Sequence, residues 1–230
     1  MDKKYLLFDL DGTVTDSNLG ITRCVQYALL DQGIDEQDMS VLEEYIGPAL
    51  DDSFKKYHGL NDEQAAKAVA KYRERYRDTG IFENEVYDGI VPCLETLKAA
   101  GKIICLSTCK PEPFAVRILE HFKLDKYFDV VTGSDLEGTR KQKYQVIEET
   151  FKRLSANVLR KELTEELLNE IKADSVMIGD RNQDVNGAHQ VGIECIGVRY
   201  GYAKPDELED AGVDYIVETI PELTALILAQ

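Results

Sequence analysis

The sequence of 230 residues predicts an α/β protein, in which a parallel sheet is covered by helices on both faces and carries an inserted all-helical cap. A short apolar run at residues 5–8 is typical of a buried strand. Residues 18–87 then follow a helical pattern, and from there helices and strands alternate. Because the first strand must join the later sheet, we assign residues 1–16 and 88–230 to a core domain and residues 17–87 to the cap.

Glycines divide the helical block. Ile21, Val25 and Ala28 fall at helical spacing in its first part, and residues 63–77 show no strand-like alternation. Glycine adopts backbone conformations that other residues avoid, so it commonly marks the ends of helices. About four helices result. The dividing glycines are Gly33, Gly47, Gly59 and Gly80.

The core elements follow from apolar runs bounded by turn residues and from helical spacing. Gly101 and Gly192 each indicate the end of a helix. Strands are predicted at residues 102–106, 128–132, 175–178, 193–198 and 215–217. Helices are predicted at residues 92–100, 113–122, 141–152, 184–191 and 221–228.

Residues 157–171 predict an additional amphipathic helix. Leu159, Leu163, Leu167 and Ile171 follow one another at steps of four, which gives a single apolar stripe. The favoured interpretation is packing of this stripe on the edge of the core, and the alternative is a dimer contact.

The charge balance restricts the partners. The chain has 27 Lys and Arg against 43 Asp and Glu, a net charge of −16, which argues against nucleic acid and anionic membranes as partners. A phosphate substrate would need local cations or a metal ion. No apolar run approaches the roughly 20 residues that span a bilayer, and we expect no secretion signal. The scattered cysteines fit reduced thiols in the cytoplasm. They are Cys24, Cys93, Cys105, Cys109 and Cys195.

The end of the first strand carries the most informative residues. Asp9 and Asp11 are spaced i, i+2, so their side chains share a face. Two acids this close favour either a bound cation or a division into nucleophile and general acid. Ligands of open parallel sheets lie beyond the carboxyl ends of the strands. Later strand ends supply hydroxyls, carboxylates and glycines at residues 107–110, 133–135 and 179–184, and Lys143 opens the helix after the third strand.

These motifs resemble those of the haloacid-dehalogenase superfamily of phosphohydrolases, in order and over essentially the full length. The resemblance implies a Rossmann-like, three-layer α/β/α core with a helical cap. The matching segments are Asp9–Val14, Thr108–Pro111, Lys143 ahead of Val146, and Gly179–Asp184. Segments 46–50, 80–84 and 197–202 resemble the phosphoglycolate-phosphatase-like branch, some of whose members are labelled 5′-nucleotidases.

The resemblance also implies roles. Asp9 is the nucleophile that forms an aspartyl-phosphate, and Asp11 protonates the leaving oxygen and then activates water. Mg²⁺ is held by Asp9, the backbone carbonyl of Asp11 and Asp180, and it offsets repulsion between carboxylate and phosphate. Asp184 orients metal-bound waters or Lys143.

Two further roles concern the phosphoryl group. Thr108 donates a hydrogen bond to its oxygens, and Lys143 places a cation against it. Ser107 is a second hydroxyl at the same strand end, and the spacing to Lys110 favours Thr108. Cys109 stands beside Lys110, which would lower the pKa of the thiol. A role for Cys109 as a small space-filling residue is the favoured interpretation.

In the cap, Arg23 and Arg77 are candidate substrate contacts, and a solvated surface charge is the alternative for each. The cap residues that select the substrate stay open at this point, as does the choice between monomer and homodimer.

We expect Mg²⁺-dependent hydrolysis of a small phosphorylated metabolite, in the manner of phosphoglycolate phosphatases or 5′-nucleotidases. The alternatives are a phosphomutase similar to β-phosphoglucomutase, a pyrophosphatase, and a non-catalytic regulatory protein that retains the fold. Asp9, Asp11, Lys143 and Asp180 are all present, which argues against loss of catalysis.

Overall fold

The computed structural model describes residues 1, 3–136 and 138–229. The chain divides into two compact units. The core unit contains Met1–Val14 and the chain from Val86 onward, and the cap unit contains Thr15–Glu85. Both boundaries between the units lie two residues earlier in the chain than the domain boundaries assigned from the sequence.

The strands are β1 Tyr5–Phe8, β2 Thr15–Asp16, β3 Glu85–Val86, β4 Ile103–Pro111, β5 Val130–Ser134, β6 Ser175–Gly179, β7 Glu194–Val198 and β8 Tyr215–Val217. The α-helices of the cap unit are α1 Asn18–Asp31, α2 Met39–Glu43, α3 Leu50–His58 and α4 Asp62–Asp78. Those of the core unit are α5 Ile90–Ala99, α6 Glu112–His121, α7 Lys143–Arg153, α8 Glu165–Ala173, α9 Asn182–Val191, α10 Glu207–Asp210 and α11 Ile220–Leu228.

The core unit is built on a parallel sheet with the strand order β5-β4-β1-β6-β7-β8. Tyr5 and Leu7 pack into a hydrophobic cluster with side chains from α7, α8 and α9. Leu6 and Phe8 alternate to the other face of the strand and are also fully buried. Helices therefore cover both faces, and the predicted α/β, Rossmann-like core is confirmed.

β4 is longer than the predicted strand at residues 102–106. It continues to Pro111, and its pairing with β5 shifts register between Ser107 and Pro111. The extension pairs with β5 at its two ends, Ser107 with Thr132 and Pro111 with Ser134. This extension places Thr108 and Lys110 at the sheet edge where β1 and β6 also end.

The prediction of a single helix over residues 157–171 is wrong. The chain widens into a π-helical turn over Leu154–Leu159, and Arg160 adopts a left-handed conformation with φ 55°. α8 then starts afresh, with the side chain of Thr164 accepting a hydrogen bond at its first turn. Packing on the core is nevertheless confirmed. The four residues of the stripe, two buried and two partly buried, contact the hydrophobic cluster.

The cap unit is helical, as the sequence predicts. α1 packs against α4, and α3 also packs against α4. Tyr45 and Phe54 meet edge to face with ring centroids 5.0 Å apart inside this unit. Across the described residues, no helix combines the length and apolar character that crossing a membrane requires.

Candidate active site

Three buried carboxylates meet at the carboxyl edge of the sheet. Asp9 follows β1, Asp180 follows β6, and Asp184 lies in the first turn of α9. Each offers an oxygen within 4.8 Å of the oxygens of the other two. Their exposed fractions are 5%, 0% and 0%. Ionised carboxylates that are this close together and this well shielded from water repel one another strongly. The cluster therefore requires a positive charge nearby.

Glycines allow the backbone to close around Asp180. Gly12 has φ 81°, and a Cβ built on it would lie 2.1 Å from Oδ2 of Asp180. A Cβ on Gly201 would lie 2.3 Å from the Cβ of Asp180. The amide of Tyr202 donates to Oδ2 of Asp180 at 2.7 Å. The turn at Gly12 and the segment at residues 201–202 are distant in sequence, and both pack closely against the side chain of Asp180.

Lys143 supplies positive charge from the start of α7. Its Nζ lies 2.9 Å from Asp9 and 2.7 Å from Asp184, and it donates to the carbonyl of Ser107 at 3.1 Å. Burial disfavours the ammonium form, but the charges of Asp184 and Asp9 outweigh it and raise the pKa of Lys143 well above its ordinary value. Lys143 therefore links β1, β4 and α9 as a buried cation.

One lysine does not neutralise three acids. Burial, with the neighbouring charge of Asp184, raises the pKa of Asp180 well above its ordinary value. Burial likewise raises the pKa of Asp184 to about 6, although Lys143 opposes the shift. The cluster thus has unbalanced negative charge, and its hard oxygen ligands suit a divalent cation such as Mg²⁺.

Asp11 forms a buried ion pair with a second lysine, Lys110. Nζ of Lys110 lies 2.8 and 2.7 Å from the two carboxylate oxygens of Asp11, and both side chains are at most 8% exposed. Sequence reasoning used Lys110 as a spacing marker and as a charged neighbour of Cys109, and it missed this pair. The signal was a lysine two residues after the motif hydroxyl, in a strand next to β1.

The hydrogen bonds distinguish the two hydroxyls at the end of β4. Oγ1 of Thr150 donates to the carbonyl of Val146 at 2.9 Å, so the 3.1 Å contact between Thr150 and Ser107 uses the hydroxyl proton of Ser107. Thr108 instead accepts from the amide of Lys110 at 3.2 Å, which leaves its proton able to donate. Of the two hydroxyls, that of Thr108 therefore has its proton available for a ligand.

The expectation that Lys110 lowers the pKa of Cys109 is wrong. Burial raises the pKa of this thiol to about 12, and the cation of Lys143 only partly opposes the shift. Lys110 is committed to Asp11 instead. Cys109 is therefore an inert thiol and not an activated one.

The cap arginines are engaged by cap acids. Arg23 lies 2.8 Å from Glu83, which also pairs with Arg75 at 2.7 Å. Arg77 lies 3.2 Å from Asp78 and is 65% exposed. The described contacts of Arg23 and Arg77 place both in ion pairs within the cap unit.

Arg181 makes a buried structural ion pair. Its Nε lies 2.8 Å from Glu207, with both side chains 8% exposed, and the amide of Asn182 donates to the same carboxylate. This pair joins α10 to the start of α9. It therefore supports the turn that carries Asp180 and Asp184.

Comparison with known proteins supports this geometry. Residues 6–198 match the family model described as haloacid dehalogenase-like hydrolase. A 5′-nucleotidase of Pseudomonas aeruginosa is 44% identical over 203 residues, covering 88% of this chain and 86% of the relative. The crystal structure of a "predicted phosphatase" from Clostridium acetobutylicum superposes with a TM-score of 0.87 at 41% identity, covering 99% of each chain.

Other relatives carry different names. The tyrosine-protein kinase PtkA of Mycobacterium tuberculosis is 34% identical over 222 residues, covering 96% of this chain and 71% of the relative. Phosphoglycolate phosphatase 1 of Pseudomonas aeruginosa is 26% identical over 228 residues, covering 96% of this chain and 78% of the relative. The chain therefore belongs to the haloacid dehalogenase-like hydrolase family and is a phosphatase of that family.

Proposed function

We propose that the protein is a Mg²⁺-dependent phosphatase that hydrolyses a small phosphomonoester through an aspartyl-phosphate on Asp9. The observation that carries this proposal is the placement of Lys143 between Asp9 and Asp184 in a buried cluster of acids. A buried nucleophile beside a cation is arranged for an anionic substrate, which the overall charge of −16 would otherwise repel.

The residues present fit a Mg²⁺ ion. We propose that Asp9, Asp180 and the backbone carbonyl of Asp11 would hold it, and that Asp184 would orient its waters or Lys143. The unbalanced charge at Asp180 and the glycines packed around it support this assignment. When bound, the ion supplies positive charge that offsets repulsion between carboxylates and phosphate.

The first half of the reaction uses Asp9 and Asp11. Lys143 pairs with Oδ1 of Asp9, and a carboxylate oxygen of Asp9 attacks phosphorus. The bond between phosphorus and the ester oxygen breaks. The ester oxygen keeps the bonding electron pair and accepts a proton carried by Asp11. Thr108 and Lys143 stabilise the negative charge on the phosphoryl oxygens. The products are the free alcohol and the aspartyl-phosphate.

The second half restores the enzyme. Asp11, now a carboxylate, takes a proton from water as the water oxygen attacks phosphorus. The bond from phosphorus to Asp9 breaks and inorganic phosphate leaves. Lys110 holds both oxygens of Asp11, so it keeps this acid in one orientation in the resting enzyme.

We propose a small phosphorylated metabolite as substrate, with a nucleoside 5′-monophosphate ahead of phosphoglycolate, because the 5′-nucleotidase is the more similar of those two relatives. Arg23 and Arg77 remain our candidate contacts in the cap. We further propose a cytoplasmic monomer or homodimer without nucleic-acid or membrane partners. None of the described cysteines forms a disulfide bond, which supports a reducing location.

The test is hydrolysis of p-nitrophenyl phosphate with Mg²⁺ and with EDTA. We expect metal-dependent release in the wild type and none in Asp9→Asn. The matched control is Asp174→Asn, which changes an exposed acid after α8 and should retain full activity. A wild type inactive on p-nitrophenyl phosphate and on a panel of natural phosphomonoesters would instead favour the regulatory-protein alternative.

A further inference from the structure

The segment at residues 200–202, between β7 and α10, packs against the turn that follows β1. The hydroxyl of Tyr200 donates to the backbone carbonyl of Thr13 at 3.0 Å. A Cβ built on Gly201 would lie 2.4 Å from the carbonyl oxygen of Gly12, so only a glycine allows the two backbones to approach this closely. The segment is therefore fixed to the turn by a hydrogen bond and by close backbone packing.

The same segment holds the side chain of Asp180. The amide of Tyr202 donates to Oδ2 of Asp180 at 2.7 Å. Oγ1 of Thr13 lies 3.5 Å from the other carboxylate oxygen, Oδ1, and the side chains of Thr13 and Asp180 are fully buried. Thr13 thus contacts Asp180 through its hydroxyl and Tyr200 through its carbonyl. These contacts form a closed ring around one carboxylate.

The ring of Tyr200 is itself held in place. It meets the ring of Tyr87 edge to face, with centroids 5.1 Å apart and an interplanar angle of 68°. The amide of Tyr87 donates to the carbonyl of Val14 at 3.3 Å, one residue after the carbonyl that accepts from Tyr200. All of these residues belong to the core unit. The phenol of Tyr200 is therefore oriented by a second aromatic residue that is bonded to the same turn.

We propose that Tyr200 is a positioning residue that sets the metal selectivity of the candidate site, because it fixes the turn after β1 against the carboxylate of Asp180. The proposal rests on the Mg²⁺-dependent function proposed above, in which Asp180 and the backbone carbonyl of Asp11 would hold the ion. Mg²⁺ demands near-ideal octahedral geometry at about 2.0–2.1 Å, whereas Ca²⁺ accepts flexible geometry at about 2.3–2.6 Å. A rigid frame therefore favours Mg²⁺, and a loosened frame discriminates less between the two ions.

The test is isothermal titration calorimetry of the full chain with Mg²⁺ and, separately, with Ca²⁺, in the absence of substrate. Tyr200→Phe removes the hydroxyl and keeps the ring. We expect it to raise the Kd for Mg²⁺ about 5- to 10-fold, the size of one lost hydrogen bond. The Kd for Ca²⁺ should change by no more than about twofold, because Ca²⁺ tolerates a looser arrangement. A general loss of structure would weaken binding of both ions to a similar extent.

Gly201→Ala disturbs the same frame by a different route. Gly201 is not among the glycines with a left-handed backbone, so alanine introduces no backbone strain there. Its methyl group would lie 2.4 Å from the carbonyl oxygen of Gly12 and 2.3 Å from the Cβ of Asp180. Since both distances are shorter than van der Waals contact, the methyl group must push the turn and Asp180 apart. We expect the preference for Mg²⁺ over Ca²⁺ to fall at least as far as in Tyr200→Phe.

Tyr127→Phe is the matched control. Tyr127 is 8% exposed, its hydroxyl donates to Glu95 at 2.7 Å, and both residues belong to the core unit. It precedes β5 and so lies at the amino end of that strand, whereas the candidate site lies at the carboxyl edge of the sheet. Both Kd values should stay within about twofold of wild type. If Tyr127→Phe lowers the preference for Mg²⁺ as Tyr200→Phe does, the proposal is overturned.

The remaining outcomes separate this inference from the proposed function. An unchanged preference for Mg²⁺ in Tyr200→Phe, or an equal rise of both Kd values, overturns the inference and leaves the phosphatase function standing. A wild type that binds no Mg²⁺ contradicts the metal assignment and this inference together. A wild type that binds Mg²⁺ but hydrolyses no phosphomonoester contradicts the phosphatase function, while a lowered preference in Tyr200→Phe still supports the inference.

Discussion

The ion pairs of the candidate active site in the core unit are buried, whereas those of the candidate arginines in the cap unit are exposed. In the core unit, Lys143 makes ion pairs of 2.9 Å or less with Asp9 and Asp184, and the three side chains are at most 8% exposed. In the cap unit, Arg23 and Arg77 also have acidic partners, but their side chains are 51% and 65% exposed. Water screens the exposed pairs, which typically contribute about 0–1 kcal/mol. The difference predicts which charges the function depends on.

Loss of Lys143 should have the largest effect. Lys143→Met leaves two buried carboxylates without their cation, and we expect kcat/KM to fall by about 10³-fold or more. The free energy of unfolding should also fall by about 3–5 kcal/mol, because removal of the lysine leaves its partner carboxylates buried without an opposite charge. Turnover of p-nitrophenyl phosphate and urea unfolding measure the two effects.

The control for this comparison is Lys152→Met on the same helix. The side chain of Lys152 is 64% exposed and lies 3.7 Å from Glu149. Activity and stability should remain close to wild type. If the two variants were equally active, the buried cation would have no role in catalysis.

Loss of Lys110 should have a smaller effect on catalysis, and within catalysis it should act on the chemical step. Lys110→Met removes the partner that holds both oxygens of Asp11, so we expect kcat to fall about 10- to 100-fold with little change in KM. Lys110→Arg keeps a cation and should recover part of the rate. An unchanged kcat in the methionine variant contradicts a positioning role for Lys110.

The acidic cluster predicts a pH dependence of stability without metal. Burial raises the pKa of Asp180, and that of Asp184 to about 6, so the folded state binds more protons than the unfolded state above about pH 4. The free energy of unfolding in EDTA should therefore fall by roughly 1–3 kcal/mol as pH rises from 5 to 7.

Urea unfolding at the two pH values measures this change. Addition of Mg²⁺ should reduce it, because a cation stabilises the ionised carboxylates, and Asp184→Asn should reduce it in EDTA. A change of equal size in Asp184→Asn would assign the pH dependence to the rest of this acidic chain.

The smallest effects should come from the cap arginines. Arg23→Ala and Arg77→Ala should each lower the free energy of unfolding by less than about 1 kcal/mol. KM for adenosine 5′-monophosphate tests the candidate substrate contacts separately, because a residue that binds substrate raises KM when it is removed. A loss of several kcal/mol in either variant would contradict the contrast between the two units.

The sequence predicted the parallel sheet and helical cap well because their signals are local. Apolar runs, helical spacing and glycines report on neighbouring residues. Asp9 and Lys143 were identified from family motifs, and the structure brings them to 2.9 Å. Here the order of the strand ends along one sheet edge was sufficient to place residues 134 positions apart near each other.

Other features depended on contacts that no local pattern reports. The pair between Lys110 and Asp11 requires β4 to continue beyond its apolar part beside β1. Gly201 and Tyr202 contact the side chain of Asp180, although the two segments share no sequence motif. The break at Arg160 also escaped prediction, because the apolar stripe continues through it while the backbone does not.

The account depends most directly on Asp9 as the nucleophile. The decisive measurement is a single turnover with Mg²⁺ and substrate, quenched in acid, reduced with borohydride and analysed by peptide mass spectrometry. An aspartyl-phosphate at Asp9 is reduced to homoserine at that position, and we expect this product in the wild type and not in Asp9→Asn. Full turnover of substrate with unmodified Asp9 at every quench time, or homoserine at another acid, would contradict the proposed mechanism.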